Sequence, residues 1–307
     1  MWKDWIRPWV RPLPQWSTIA VAPPQRVVSA TLHWDGHSVD VTTDHTVASL
    51  KPLSIATSID AGQRPTLEYR DSATGRPLGF LHLAKAAGVA TNGAALAVYH
   101  VASGEHRCLD WPRRPWNTWL QNRLMRKTPS SHHGLMQPAA VQQLMIAYLC
   151  PRPVVLVSVA TAGHCNIFPM DLIGPLGASG LYSLALRSTN VSAHVMREVR
   201  QVVLSNVPAT MKAQVYQLSQ HHKTPLTDWA ALPFPVRPSK AFGIPAVSDA
   251  LRIQELTIVD SQELGSHIFF LCHVETDQPA VDGAQLHHTP GFHQAYRRRR
   301  HMPFTEI

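Results

Sequence analysis

The chain is short of cysteine, of acidic residues and of long apolar runs, and each shortage removes a class of function. Its four cysteines, Cys108, Cys150, Cys165 and Cys272, form no C-x-x-C pair, which argues against a zinc ribbon. Cys150 and Cys272 stand in apolar surroundings and read as small buried hydrophobes, and Cys165 as a loop-packing residue. No stretch approaches the ~18 uninterrupted apolar residues of a membrane helix, so no membrane span is expected. Helix-turn-helix, zinc-finger and RNP-like patterns are missing, so no specific nucleic-acid partner is expected. P-loop, H-E-x-x-H and Ser-His-Asp patterns are missing as well, and no metal site is expected.

Acidic residues number 20 against 28 Lys and Arg, for a formal net charge of +8. Arg297 to Arg300 equal half of that excess. Such a run reads as a solvated basic tail, with a dinucleotide phosphate, a nucleic acid or a membrane surface as other partners for it. His287, His288 and His293 stand close by and are read with the tail. The start, MWKDWIRPWVRPLPQW, carries charges and prolines where a secretory signal needs an apolar stretch. A cytoplasmic protein is expected, although an Arg-bearing, acid-poor start leaves an organelle address open.

What is present is a chain of 307 residues, 45% hydrophobic, enough for one large domain or two ordinary ones. Residues 1–25 hold Trp2, Trp5, Trp9 and Trp16 among five prolines, a density that forbids a continuous helix. An extended segment is expected, its tryptophans packed on the body or on a second subunit. Residues 26–127 read as a small β-rich N-terminal domain. Three hairpins are expected in it, at Asp35-Gly36, at Ser72 to Gly75 and at Ser103-Gly104. His33, His37, His45, His82, His100 and His106 lie scattered along these strands and read as solvated or core residues. A helix over Trp116 to Arg126 closes the region, and a boundary is placed in the polar TPSSHHG loop (128–134). No internal repeat is evident.

Residues 134–307 read differently. A helix is expected from Gln137, with Pro138 in its first turn. A buried strand, Val154 to Ala160, then runs into Thr161-Ala162-Gly163-His164-Cys165-Asn166. A second strand begins near Ile167. A third, Leu181 to Leu186, ends in Arg187-Ser188-Thr189-Asn190 before a helix over Val191 to Val199, with Ser188 or Thr189 as its cap. Two polar loops beside apolar strands suit a flat aromatic ligand bearing a phosphate. Arg187, Ser188 and Thr189 together offer a guanidinium, two hydroxyls and free amides to that phosphate. Asn166 can donate and accept at once, and Phe168, Pro169 and Met170 can wall a ring slot. Each has a plainer role open to it: a helix cap with a surface arginine, a turn residue, core packing.

Pro153, Thr161, Gly163, Asn166, Arg187 and Thr189, in this order and spacing, resemble the flavin reductase-like family, the FMN-binding split β-barrels. Gly265-Ser266-His267 resembles that family's Gly-Asp-His strand start, and Phe242-Gly243-Ile244-Pro245 its approach to the late strands. Two departures stand out: Ser266 replaces the family's Asp, and Gly174-Pro175-Leu176 replaces Asp-Pro-Pro. The resemblance covers residues 134–307. It implies a mainly β fold with short helices (α+β), a split barrel preceded by the small β-rich domain. It implies FMN or FAD as cofactor and NAD(P)H as electron donor, held by Thr161, Asn166, Phe168, Pro169, Met170, Arg187, Ser188 and Thr189. It places His267, the one catalytic candidate, near the nicotinamide. It also implies a homodimer and a partner oxygenase or other electron acceptor. The alternatives are a non-catalytic flavin carrier or sensor, and an interaction protein whose barrel has lost its ligand.

Overall fold

The computed structural model describes residues 12–22, 26–86, 89–90, 95–127, 136–279 and 282–307. Trp2, Trp5, Trp9 and the His132-His133 loop lie outside them. The fold is mainly β with short helices.

After β1 (Trp16–Val21), alternation in β2 (Val28–Trp34) buries Val28, Ala30 and Leu32 on one side. The chain reverses at Asp35-Gly36, whose φ angles of 43° and 79° are those of a tight hairpin turn, and returns as β3 (His37–Asp40). The second expected hairpin is also present, as β6 (Thr66–Asp71) and β7 (Pro77–Lys85). Between the two hairpins lie β4 (His45–Leu50) and β5 (Leu53–Thr57), which the sequence did not announce. Both are buried on nearly every residue, so neither alternates. With β8 (Val89–Ala90) set on β9 (Ala95–His106), these strands form one antiparallel sheet of order β3-β2-β6-β7-β9-β5-β4.

The third expected hairpin is absent. β9 runs straight through Ser103-Gly104, pairing Ser103 with His82 and Gly104 with Leu81. A Cβ on Gly104 would stand 2.5 Å from Leu81 Cδ2, so this glycine serves close packing rather than a turn. Helix α1 (Arg113–Lys127) follows, then α2 (Pro138–Ala147) with Pro138 in its first turn as expected.

The second half continues through β10 (Arg152–Pro153), β11 (Val155–Ala160), β12 (Cys165–Met170), β13 (Ile173–Leu176) and β14 (Leu181–Arg187). Helix α3 (Ala193–Val199), β15 (Gln201–Asn206) and α4 (Lys212–Gln217) come next. Two 3-10 turns, Ala209–Met211 and Leu218–His222, flank α4. β16 (Val236–Pro238) pairs with β17 (Pro245–Val247), and β18 (Arg252–Leu264) and β19 (His267–Pro279) form a long hairpin. This curled antiparallel sheet, a split barrel, has the order β12-β11-β15-β18-β19-β14-β13. Its inner face packs Val155, Val157, Phe168, Leu184, Met196 and Phe270 into one core cluster.

Read strand for strand, the two sheet orders are the same: the fold repeats where the sequence shows no repeat. The halves also share a core, since Val47, Leu81 and Tyr99 cluster with Leu176, Leu181, Phe269 and Leu271.

The basic run is not a solvated tail. β20 (Gln285–Pro290) pairs with β1 and β10 and carries His287 and His288. Helix α5 (Gly291–Arg299) follows, burying His293, and β21 (Thr305–Glu306) closes on β1. Arg299 pairs with Asp110 and Arg298 with Glu306, while Arg297 lies 4.3 Å over the Phe304 ring. Carboxylates and a ring brought in by folding account for these arginines, and none of those partners is announced by the run itself. Among the described residues, no group of three His, Cys, Asp or Glu could hold a metal, and no helix is long and apolar enough to cross a membrane.

Candidate functional site

Strand β14 ends at Arg187, which stands opposite His267, the first residue of β19. The Ser188 amide donates to the Ser266 carbonyl (3.2 Å), and the Asn190 amide to the Arg187 carbonyl (2.9 Å). Residues 187–190 therefore form a turn fixed to the start of β19. Ser188 and Thr189 are exposed on it, and Arg187 is half-buried. A guanidinium and two hydroxyls share this corner.

The expected capping differs. Helix α3 begins at Ala193, and its N-cap is Ser192, without a side-chain capping bond. The Ser192 hydroxyl is engaged by Asn166 Nδ2 (2.7 Å) and His164 Nε2 (3.2 Å). Ser188 and Thr189 thus precede the helix by a full turn. Helix α3 is seven residues long, and residues 187–190 form a turn ahead of it rather than its N-terminus.

Asn166 is fully buried. Its Nδ2 also donates to the His221 carbonyl (2.9 Å), and its Oδ1 accepts from the Ile167 amide (3.0 Å). It pins β12 to the 187–192 turn and to the 3-10 turn Leu218–His222. Asn190 Nδ2 lies 2.7 Å from His222 Nδ1, closing the same network. His164, Asn190, Ser192 and His222 were missed as members of this cluster; a histidine inside a hairpin loop was the one sequence hint. Replacing Asn166 by alanine removes the side-chain partner of a buried acceptor, the His221 carbonyl, and of a buried donor, the Ile167 amide. The expected loss is about 2 to 4 kcal/mol of stability, measured by urea unfolding; a loss within about 0.5 kcal/mol would place Asn166 outside the scaffold.

Thr161 is exposed, and its Oγ1 accepts from the Gly163 and His164 amides (3.2 and 2.9 Å), so it orders its own loop. Phe168 and Met170 are buried in the barrel core, Phe168 with its ring centroid 5.2 Å from that of His222. Pro169 is half-buried opposite Leu156. Cys165 donates to the Leu226 carbonyl (3.3 Å), the loop-packing role expected of it.

His267 is 1% exposed. Its Nδ1 lies 2.9 Å from Ser266 Oγ and accepts from the Leu50 amide (3.4 Å). Burial, with Arg187 adding repulsion, pushes its pKa down to about 4, so the ring is neutral at pH 7. Ser266 is latched in both directions to the β4–β5 turn: the Lys51 amide donates to its Oγ (3.1 Å), and its own amide donates to the Lys51 carbonyl (2.9 Å). Gly265 (φ 58°) passes so close that a Cβ there would stand 2.1 Å from the Lys51 carbonyl oxygen. The N-terminal half thus covers the start of β19.

Solved structures that the chain resembles include flavin reductases and an FMN-binding protein. The NADH:FAD oxidoreductase SgcE6 of Streptomyces globisporus C-1027 is 18% identical over 54% of this chain and 95% of its own, with a TM-score of 0.44. BorF, the flavin reductase component of a bacterial two-component tryptophan halogenase, is 14% identical over 48% and 97%, with a TM-score of 0.42. An FMN-binding protein from Thermus thermophilus is 19% identical over 42% and 72%, with a TM-score of 0.37. No family model matches the chain, and no curated protein is significantly similar to it in sequence.

Proposed function

We propose that the protein is a flavin reductase-like oxidoreductase that binds FMN or FAD and takes electrons from NADH or NADPH. The observation that carries this is the corner at the end of β14. There Arg187 and the exposed hydroxyls of Ser188 and Thr189 stand on a turn fixed to the start of β19. The Ser188 and Asn190 amides are already engaged, and a cation with two hydroxyls fits a phosphate monoester, the anionic end of FMN. Bound flavin supplies the hydride-accepting chemistry.

The chain's own residues do the rest. Arg187, Ser188 and Thr189 hold the phosphate. Pro169 and the Thr161 loop border the ring. Asn166 fixes the loops, and Phe168 and Met170 support them from the core. His267 acts as a positioning residue: neutral and covered by β4, it fixes the corner through Ser266 and Leu50 rather than exchanging a proton with solvent. Reduced flavin would serve a partner oxygenase or another acceptor, in the cytoplasm. The family resemblance implies a homodimer with a second barrel beside each site; in this chain the N-terminal half itself covers the start of β19 through Lys51 and Ser266.

The test is anaerobic mixing of the FMN-loaded protein with NADH or NADPH. Bleaching of the oxidised-flavin absorbance is expected with at least one of them. Flavin that binds but stays oxidised with both would contradict the reductase and leave a carrier or sensor.

A further inference from the structure

Each sheet uses its strands in one order: β3-β2-β6-β7-β9-β5-β4 in the first half, β12-β11-β15-β18-β19-β14-β13 in the second. Substituting β2 by β11, β3 by β12, β4 by β13, β5 by β14, β6 by β15, β7 by β18 and β9 by β19 turns one into the other. All these pairings are antiparallel in both halves. The match extends to spacing. His37 and Cys165, His45 and Ile173, and Leu53 and Leu181 open equivalent strands, and each pair is separated by the same number of residues. The halves part company later. The second inserts the 187–192 turn and α3 between β14 and β15, and a long helical and Pro-rich stretch between β15 and β18.

The halves also meet as two copies would. β4 lies against its own counterpart β13, running the opposite way: the Gly177 amide donates to the Thr43 carbonyl (3.0 Å), while Gly174 faces Thr46. Thr46 and Gly174 are the second residues of their strands, so a residue meets its own equivalent, as happens at the axis of an isologous dimer.

The two equivalent corners differ in charge. By the spacing that makes Leu53 and Leu181 equivalent, Ile59, Asp60 and Ala61 stand where the second half has Arg187, Ser188 and Thr189. There Asp44 accepts from Thr57 Oγ1 (3.3 Å) and Ser58 Oγ (2.5 Å), and Asp60 pairs with Lys85 (2.7 Å). An isoleucine stands where the second half offers a guanidinium, and the two carboxylates near it disfavour a phosphate. The first half instead lends its β4–β5 turn to the other corner, through Lys51 and Ser266.

We infer that the chain is a duplicated half-barrel folded back on itself. In it the N-terminal half takes the place of a partner subunit, and one chain holds a single phosphate-binding flavin corner. Only the identity of the ligand rests on the function proposed above; the internal pairing stands on topology and contacts.

Two measurements on the full-length protein test this. In the double variant Thr46→Cys/Gly174→Cys, a Cβ on residue 174 stands 3.8 Å from Thr46 Cβ, within the range a disulfide spans. Oxidation should give a crosslink inside one chain, seen as a monomer on a non-reducing gel with the 46–174 peptide pair confirmed by mass. A covalent two-chain species, or two free thiols after oxidation, would overturn the internal pairing. In the unmodified protein, titration with FMN should saturate at one per chain. One flavin per two chains, or two per chain, would overturn the single-corner assignment. If FMN fails to bind at all, the flavin reading falls, while the crosslink still decides the pairing.

Discussion

Replacing Arg187 by alanine is expected to weaken FMN binding about ten- to a hundredfold. A hydrogen bond to a charged group contributes about 1.5 to 3 kcal/mol, and each 1.4 kcal/mol is a factor of ten in affinity. The side chain is half-buried at a strand end. Riboflavin lacks the phosphate, and its affinity should change by less than about twofold, because the lost contact is specific to the anion. Arg187→Lys should recover part of the loss, since a point charge replaces the guanidinium fork. Quenching of flavin fluorescence reads all of these. An equal loss for FMN and riboflavin would show that Arg187 supports the fold rather than the phosphate.

Acidification is expected to unfold the chain at about pH 5, well before its carboxylates are all protonated. Burial pushes five histidines far below their ordinary value of 6.5. His45, His106 and His293 fall to about 3, with Arg152, Arg114 and Arg297 respectively adding repulsion. His267 and His287 fall to about 4. The folded-state values are depressed, so the stabilisation is fully present above pH 6.5 and is lost as pH falls toward 4 and then 3. In that window the unfolded chain binds protons that the folded one refuses. Each such histidine costs about 1.4 kcal/mol per pH unit, so five together cost about 7. A domain's whole stability is about 5 to 15 kcal/mol, so one to two pH units exhaust it.

Circular dichroism against pH measures the transition. His106→Phe provides the control. The His106 ring stacks on Phe292 at 3.9 Å, and its Nδ1 has no hydrogen-bond partner, so a phenyl ring keeps the packing. That variant should unfold at lower pH than the parent. A chain that keeps its native signal at pH 4 would contradict the buried, neutral histidines.

What was legible in the sequence was local. Asp35-Gly36 and Ser72 to Gly75 announce hairpins because turn chemistry resides in the turn itself. β4 and β5 gave no such signal, since strands buried on both faces do not alternate. Gly104 looked like a turn because a glycine chosen for close packing is the same letter. The Arg297 to Arg300 run looked like a tail because Asp110 lies far back in the chain and the Phe304 ring comes from the segment after the helix. At the site, the grouping of Arg187, Ser188 and Thr189 was readable. The role of Asn166 was not, because its partners Ser192 and His221 lie 26 and 55 residues away. The duplication was the least visible feature of all. It resides in strand pairing, which the sequences of the two halves no longer mirror.

The central claim is that a phosphate-bearing flavin is gripped at the end of β14. Parallel equilibrium titrations of the full-length protein with FMN and riboflavin test it most directly. Saturable binding is predicted for FMN, tighter than for riboflavin by about tenfold or more, as a charge-assisted phosphate contact requires. Absence of saturable FMN binding, or equal affinity for the two flavins, would contradict it.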